Sequence, residues 1–307
     1  MTTAPAPIGV IAHYNLLERL EPAGPGELFR ARDTRLGRTV VIRWLPAEFA
    51  RDASARAALL GKARGLIPLS HPNVITLFDA GEEQERVYLV FEFLKGQSLR
   101  AEMAGRPLNV RLAVDLAVQI ADAVADAHAA GYVHGGLSPD SIVITAKGHA
   151  KVPAFELAAR DGFESAGQAL DVRLSDYGSP EEARGEAPDH RSDIYSVGAM
   201  LYEMLTNKRP SHRGAGAPSG INPNVPEGVD AVALKAVAPN PDLRHQSAAT
   251  LAADLRTAAV ALDARGAAGS VKPHEHQSTS VGRVIAMSAV ILAGVVAILW
   301  WFGFTIQ

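Results

Sequence analysis

Three adjacent residues near the C-terminus, His274, Glu275 and His276, are of types that bind metal ions. A metal site normally needs three or four ligands on a fixed scaffold. The surrounding segment, residues 264–283, is polar, contains Gly and Ser and has no hydrophobic periodicity, which is typical of a flexible linker. We therefore interpret the three residues as part of a solvated linker and predict no metal site.

The composition excludes several other chemistries. The 307 residues contain no cysteine, which excludes disulfides, thiolate metal sites and a cysteine nucleophile. Lys plus Arg is 30 and Asp plus Glu is 33, and the resulting formal net charge of −3 argues against a nucleic-acid partner bound through bulk counterion release. The length is sufficient for one large or two modest domains.

Residues 284–304 form an apolar segment of 21 residues without a charge. As a helix rising about 1.5 Å per residue, this segment crosses the ~30 Å hydrocarbon core of a bilayer. The alternative is a buried core helix, but such helices are seldom apolar on all sides. Lys272 and Arg283 precede the segment, and basic flanks stay cytoplasmic. We predict one transmembrane helix in the inner or plasma membrane, with the bulk of the chain cytoplasmic.

One face of this predicted helix is small, because Ala289, Ala293 and Ala297 recur at four-residue spacing beside Gly294. Small faces let two membrane helices approach closely. The expected partners are therefore proteins, including a membrane protein or complex, and a homodimer is a further option. A helix that only anchors the chain remains the alternative.

The remaining sequence divides into a strand-rich part and a helix-rich part. The runs VVIRWL and VYLVFEF are β-branched and aromatic, as in buried strands. After Asn109, apolar residues recur at helical spacing until Gly131, and a second helix is predicted from Asp193 to a stop at Arg209 and Pro210. This order predicts an α+β fold with a small sheet lobe before a larger helical lobe. Residues 1–13 are predicted to be disordered.

Eight short segments occur in the order found in one family, and together they identify the resemblance. They are LERLEPAGPGELFRARDTRLGRTVVIRWL, HPNVITLFDAG, YLVFEFLKGQSL, GYVHGGLSPDSIVI, KVPAFELA, SPEEARGE, SDIYSVGAMLYEMLT and DLRHQSA. From about residue 14 to residue 262, the chain resembles the bacterial Ser/Thr protein kinases of the eukaryotic-like type. The resemblance implies a two-lobed kinase fold, with an N-lobe and hinge at residues 14–94 and a C-lobe at residues 95–263.

The resemblance also implies structural roles for five residues. Glu181 and Arg244 match a buried ion pair, and Asp193 matches the residue that holds the catalytic loop. His134 and Phe155 match members of a hydrophobic spine. Three further hydroxyls, on Ser165, Ser175 and Tyr177, fall in the segment matching the activation loop and are interpreted as solvated.

The positions that match the family's chemical groups differ from its pattern. Gly136 stands at the position of the catalytic aspartate, and Ser141 and Ala154 stand at the two metal-ligand positions. Arg43 matches the phosphate-binding lysine, and Lys62 stands where its partner glutamate is expected. Two cations about 4 Å apart at an effective dielectric of about 20 repel by ~4 kcal/mol, so we expect the helix that carries Lys62 to be pushed outward unless an anion lies between them.

The resemblance places a nucleotide pocket at Ala23, Gly26, Val41, Arg43, Phe91, Glu92 and Leu94. Backbone groups of the hinge and the cations Arg43 and Lys62 can hold a nucleotide without metal. Val41 is larger than the alanine expected there and narrows the pocket. The sequence therefore does not favour ATP binding, and no cofactor is predicted.

These substitutions lead to two alternative functions. The first is a membrane-anchored pseudokinase that is not an enzyme and acts as a scaffold, docking or regulatory subunit of a membrane or signalling complex. The second is a weak or unconventional Ser/Thr protein kinase that uses the same pocket. The loss of the acidic groups favours the first alternative.

Overall fold

The computed structural model describes residues 7–21, 26–49, 52–153 and 176–270. Contacts divide the chain into two units, residues 1–262 and residues 263–307. In the described ranges, no helix has the length and apolarity needed to cross a membrane. The predicted span at residues 284–304 and the metal-ligand types at residues 274–276 lie outside the described residues.

The N-terminal part of the chain is rich in strands. They are β1 (Gly9–Ile11), β2 (Tyr14–Leu20), β3 (Glu27–Asp33), β4 (Thr39–Trp44), β5 (Val74–Ile75), β6 (Leu77–Glu83) and β7 (Arg86–Glu92). Six of them form an antiparallel sheet in the order β1-β2-β3-β4-β7-β6. The two strands predicted from apolar runs are β4 and β7, and they are neighbours, with Val41 opposite Phe91.

The sheet begins earlier than the sequence predicted. Strand β1 lies inside the segment expected to be disordered, and its residues pair with β2 from Gly9 opposite Leu16 to Ile11 opposite Tyr14. Ala12 turns the chain with a φ of 49°, and Ile11 is only 1% exposed. Burial of Ile11 and the hairpin hydrogen bonds therefore order this segment, which is too short to show a periodic pattern.

Helix α1 (Ala53–Leu66) packs on this sheet after a short 3-10 helix at Ala47–Phe49. Asp52 caps the helix by accepting a hydrogen bond from the backbone N–H of Ala55 at 2.7 Å. The buried face of α1 consists of Leu59, Leu60, Ala63 and Leu66, which contact apolar residues of β6 and β7.

A second sheet follows the first. It contains β8 (Gly96–Ser98), β9 (Val143–Thr145) and β10 (Ala150–Pro153) in the order β5-β10-β9-β8. Strand β10 is parallel to β5, with Val152 opposite Val74, and the other pairs are antiparallel. Through β5, this sheet connects residues of the first lobe to the segment that follows the loop at residues 134–141.

The described residues after β8 are mainly helical. The helices are α2 (Leu99–Met103), α3 (Val110–Ala129), α4 (Pro180–Ala183), α5 (His190–Thr206), α6 (Glu227–Ala236) and α7 (Ala248–Ser270), with 3-10 turns at Pro218–Gly220 and Pro241–Leu243. Helix α5 is buried along nearly its whole length and packs against α3 and α6. The predicted α+β architecture of a sheet lobe before a helical lobe is confirmed for the described residues.

Three helix boundaries differ from the prediction. Helix α5 begins three residues before Asp193, because Asp189 accepts a hydrogen bond from the backbone N–H of Arg191 at 2.6 Å and closes a capping box with Ser192. It ends at Thr206, before Pro210, because Asn207 adopts a left-handed conformation with a φ of 56°. Helix α7 continues to Ser270, into the segment predicted as a linker, where Ala and Arg favour helix.

Candidate active site

A cleft of about 400 Å³ is lined by residues of both lobes. Strand β4 contributes Val41 and Arg43, and the end of β7 with the following segment contributes Phe91, Glu92 and Leu94. The structure thus brings together five of the residues assigned to a nucleotide pocket from the sequence. Asp140, Ser141 and Pro153 line it from the helical lobe.

Of the two other residues assigned to this pocket, the structure describes only Gly26. Gly26 has a φ of +92°, and a Cβ atom on it would lie 2.5 Å from the backbone oxygen of Trp44. Gly26 is therefore required for the close approach of β3 to β4, and it is absent from the lining of the cleft. Ala23 lies outside the described residues.

The two facing cations of the sequence prediction sit on separate elements. Arg43 lies in the middle of the sheet on β4, opposite Leu28 of β3 and Leu89 of β7, while Lys62 is half-buried on α1. Neither side chain is without an interaction partner. Helix α1 packs on the sheet through its apolar face. The outward displacement of this helix stays a prediction.

The loop at residues 134–141 is held by one buried carboxylate. Asp193, on α5, accepts hydrogen bonds from the backbone N–H groups of His134 and Gly135, each at 2.7 Å. Its Oδ2 also lies 2.8 Å from Nε2 of His128. Nε2 of His134 is 3.0 Å from the carbonyl oxygen of Pro153, which ties the loop to β10. These bonds fix the start of the loop, directly before Gly136.

The two oxygen-bearing side chains at the end of this loop, those of Asp140 and Ser141, belong to no cluster of metal-ligand types in the described residues. Oγ of Ser141 donates a hydrogen bond to the carbonyl oxygen of Ser138 at 2.9 Å, and this bond stabilises the turn of the loop. Asp140 is exposed, and its Oδ2 is 3.4 Å from Nη2 of Arg100. No group of three or more His, Asp or Glu residues that could hold a metal is found within the described ranges. Ala154 lies outside those ranges, as does Phe155.

Glu181 and Arg244 form a bidentate ion pair with two contacts of 2.7 Å. The side chain of Arg244 is 0% exposed and that of Glu181 is 7% exposed. Burial acts to raise the pKa of Glu181, but the hydrogen bonds from Arg244 and from Ser192 outweigh it and hold the pKa at about 2. The pair joins α4 to the segment before α7 inside the helical lobe.

Tyr177 is buried, which contradicts its interpretation as a solvated hydroxyl. Only 2% of the residue is exposed, and its hydroxyl donates to Glu203 and accepts from Arg100. Burial and the hydrogen bond to Glu203 raise the pKa of Tyr177. Tyr177 therefore connects the segment before α4 to Arg100 and Glu203 of the helical lobe. Ser165 and Ser175 lie outside the described residues.

One contact at the cleft was not predicted from the sequence. Nζ of Lys151, on β10, donates to Oε1 of Glu92 at 2.8 Å and to the carbonyl oxygen of Val74 at 3.2 Å. The same carboxylate oxygen accepts the backbone N–H of Thr76 at 2.9 Å. Lys151 therefore fixes the first residue of the hinge. A lysine inside an otherwise apolar strand was the available signal, since a half-buried cation requires a partner.

Comparison with known proteins establishes the family. Residues 18–247 match the family model described as the protein kinase domain. The chain is 33% identical over 263 residues to a probable serine/threonine-protein kinase of Streptomyces coelicolor. The aligned region covers 79% of this chain and 39% of that protein. It is 32% identical over 264 residues to the serine/threonine-protein kinase PrkC of Bacillus subtilis, covering 81% of this chain and 41% of PrkC. The chain belongs to the protein kinase family.

Solved structures agree on the fold. The PknI kinase domain of Mycobacterium tuberculosis has a TM-score of 0.66 at 20% identity, with 81% of this chain and 98% of that chain covered. The apo form of PpkA-294 has a TM-score of 0.69 at 19% identity, with 83% of this chain and 100% of that chain covered. At these identities the likeness shows the fold alone, a two-lobed protein kinase fold.

The favoured functional prediction was wrong. A pseudokinase that is not an enzyme and serves as a scaffold is contradicted by relatives at 32–34% identity that are named serine/threonine-protein kinases. The comparisons support the alternative, a Ser/Thr kinase, better. The chain spans about two fifths of the length of these relatives, 39–42%.

Proposed function

We propose that the chain is an unconventional Ser/Thr protein kinase that transfers the γ-phosphoryl group of ATP slowly to a protein hydroxyl. The observation that carries the proposal is the open cleft between the lobes, with Arg43 on its wall and the loop at residues 134–141 fixed by Asp193. The family membership of the chain supports the same reaction class.

The cleft offers ATP two kinds of contact. The hinge at residues 92–94 presents backbone donors and acceptors to the adenine, and Lys151 keeps Glu92 in place. Arg43 presents a permanently charged guanidinium to the phosphates, which it can bind in a bidentate manner. We propose that these contacts hold the nucleotide without a metal ion, and no step is assigned to a metal.

The transfer reaction requires an acceptor for one proton. The hydroxyl oxygen of the substrate attacks the γ-phosphorus, the bond from that phosphorus to the bridging oxygen breaks, and ADP leaves. Asp140 carries the carboxylate of the loop at residues 134–141, and it lines the cleft. We therefore propose that Asp140 accepts the proton of the substrate hydroxyl. Because Gly136 and Ser141 replace the usual groups, turnover is expected at least ~10⁴-fold below the ~1–100 s⁻¹ of the family.

Replacing Asp140 with asparagine tests this assignment. The carboxamide keeps the size of the side chain but cannot take a proton, so we expect phosphoryl transfer to fall by about 10²-fold or more. Label from γ-³²P ATP on a casein acceptor measures the rate. Asp126→Asn, an exposed change on α3, is the control and should leave the rate unchanged. Equal rates for Asp140→Asn and the wild-type chain would remove Asp140 from the reaction.

We also propose that residues 284–304 anchor the chain in a membrane with the kinase domain on the cytoplasmic side. The support is the sequence, with 21 apolar residues after Arg283. Deleting residues 284–307 should move the protein from the membrane pellet to the supernatant, whereas the full chain should resist extraction with alkaline carbonate. Release of the full chain by carbonate would disprove the anchor.

A further inference from the structure

A second cavity, of about 670 Å³, borders the hinge and is distinct from the cleft, although both are lined by Phe93 and Leu94. Three lysines and a histidine line it, and none of its lining residues in the described part of the chain is acidic. We call this cavity the basic pocket, and its basic residues are Lys95, Lys147, His149 and Lys151.

Backbone hydrogen bonds fix two of the lysines side by side. The N–H of Ala146 donates to the carbonyl oxygen of Lys95 at 3.1 Å, which attaches the β9–β10 turn to the chain after the hinge. Within the turn, the N–H of Gly148 donates to the carbonyl oxygen of Thr145 at 2.8 Å, and Gly148 has a φ of +79°. The turn therefore holds Lys147 near Lys95 before any ligand binds.

The wall of the basic pocket carries an oriented amide. Oε1 of Gln119 accepts hydrogen bonds from Nδ2 of Asn73 and from the backbone N–H of Ala150, each at 3.0 Å. Because the oxygen is used twice, the NH₂ group of Gln119 is directed away from these donors, and it has no acceptor among the described residues. Gln119 thus adds a neutral donor to a wall that already carries cations.

The charges of the basic pocket are only partly compensated. Lys151 is paired with Glu92, with Nζ 2.8 Å from Oε1. Lys95 and Lys147 are exposed and form no ion pair in the described part of the chain. Like charges around a concave surface reinforce one another's potential and attract anions. The preferred ligand is therefore negatively charged.

We propose that the basic pocket binds an acidic peptide segment of a protein partner. Its volume lies within the ~300–1,000 Å³ typical of ligand sites. Besides the lysines it is lined by Pro72, Phe93 and Leu94, which suit an apolar side chain placed between carboxylates. This binding does not depend on the chemistry of the cleft.

Charge reversal at the two free lysines tests the proposal. The probe is a fluorescein-labelled peptide, Glu-Asp-Leu-Glu-Asp-Leu-Glu-Asp, titrated by anisotropy with the full chain in phosphatidylcholine nanodiscs at ~0.15 M salt. We expect Lys95→Glu with Lys147→Glu to weaken binding by about tenfold or more. Lys95→Ala with Lys147→Ala should weaken peptide binding less. This alanine double variant provides the test if the charge-reversed variant does not fold.

The matched control is Arg106→Glu with Lys208→Glu, which makes the same charge change at two exposed residues outside the basic pocket. This control should change the Kd by less than about twofold. Equal weakening in both double variants would overturn the proposal, because binding would then follow net charge.

Two further probes test other ligands of the basic pocket. Tighter, lysine-dependent binding of a single-stranded RNA probe would assign the pocket to RNA instead. Loss of peptide binding in nanodiscs containing phosphatidylserine would assign it to lipid.

Discussion

Replacing Arg244 with alanine is expected to destabilise the kinase domain by about 3–5 kcal/mol. The guanidinium is fully buried and makes two 2.7 Å contacts with Glu181. It also donates to the carbonyl oxygens of Ala238, Arg191 and Pro239 at 2.8, 2.9 and 3.2 Å. Truncation leaves a buried carboxylate and three carbonyl groups without their donor. Urea unfolding followed by circular dichroism measures the change in free energy of unfolding.

The matched control is Arg256→Ala, because Arg256 pairs with Asp122 but its side chain is 54% exposed. Exposed pairs contribute ~0–1 kcal/mol. A loss for Arg244→Ala no larger than that of the control would contradict the framework role of the pair.

The same pair has a defined pH dependence. The folded-state pKa of Glu181, about 2, lies below its usual value of 4.5, so its ionised form stabilises the fold above pH 4.5, and this contribution is lost as the pH falls toward 2. The stability difference between wild type and Glu181→Gln should therefore shrink steadily over that interval.

Replacing Arg43 with alanine is expected to weaken ATP binding by about 10- to 100-fold. Arg43 lines the cleft from β4, and hydrogen bonds from a charged donor are worth about 1.5–3 kcal/mol. Arg43→Lys retains the charge and should lose less. Titration with a fluorescent ATP analogue in EDTA gives the Kd, since the proposed binding needs no metal.

Arg32→Ala is the control for this change, because Arg32 is an exposed arginine on the neighbouring strand β3 and does not line the cleft. Its Kd for the analogue should match that of the wild-type chain. An unchanged Kd for Arg43→Ala, or binding that appears only with Mg²⁺, would contradict the proposed phosphate contact.

The elements that the sequence predicted best are those with long, regular patterns. Helix α3 shows apolar residues at helical spacing and stops before Gly131, which has a φ of +84° in the structure. Strands β4 and β7 are rich in β-branched and aromatic residues. A helix with one buried face has apolar residues at helical spacing, and a buried strand has a short run of apolar residues, so both can be recognised in the sequence.

Features that depend on single long-range contacts were not predictable in this way. The burial of Tyr177 depends on Arg100 and Glu203, which are distant in the sequence. The start of α5 depends on the cap at Asp189, and the role of Gly26 depends on the backbone of Trp44. The sequence shows the residue types at these positions but not the atoms that they contact.

The functional prediction failed for a related reason. Gly136, Ser141 and Ala154 identify missing side chains, and the inference to a scaffold gave more weight to these losses than to the groups that remain. The cleft retains its hinge, Arg43 and Asp140, and these are brought together only by folding. The relatedness of the whole domain to named kinases outweighed three individual positions.

Transfer of label from γ-³²P ATP to a protein acceptor is the most direct test of the proposed reaction. The wild-type chain and Arg43→Ala are purified in parallel and incubated for hours, because slow turnover is expected. The account predicts phosphoserine or phosphothreonine, identified by mass spectrometry, in the wild-type reaction and a strongly reduced amount with Arg43→Ala. No incorporation by a folded wild-type chain, or equal incorporation by both proteins, would contradict it.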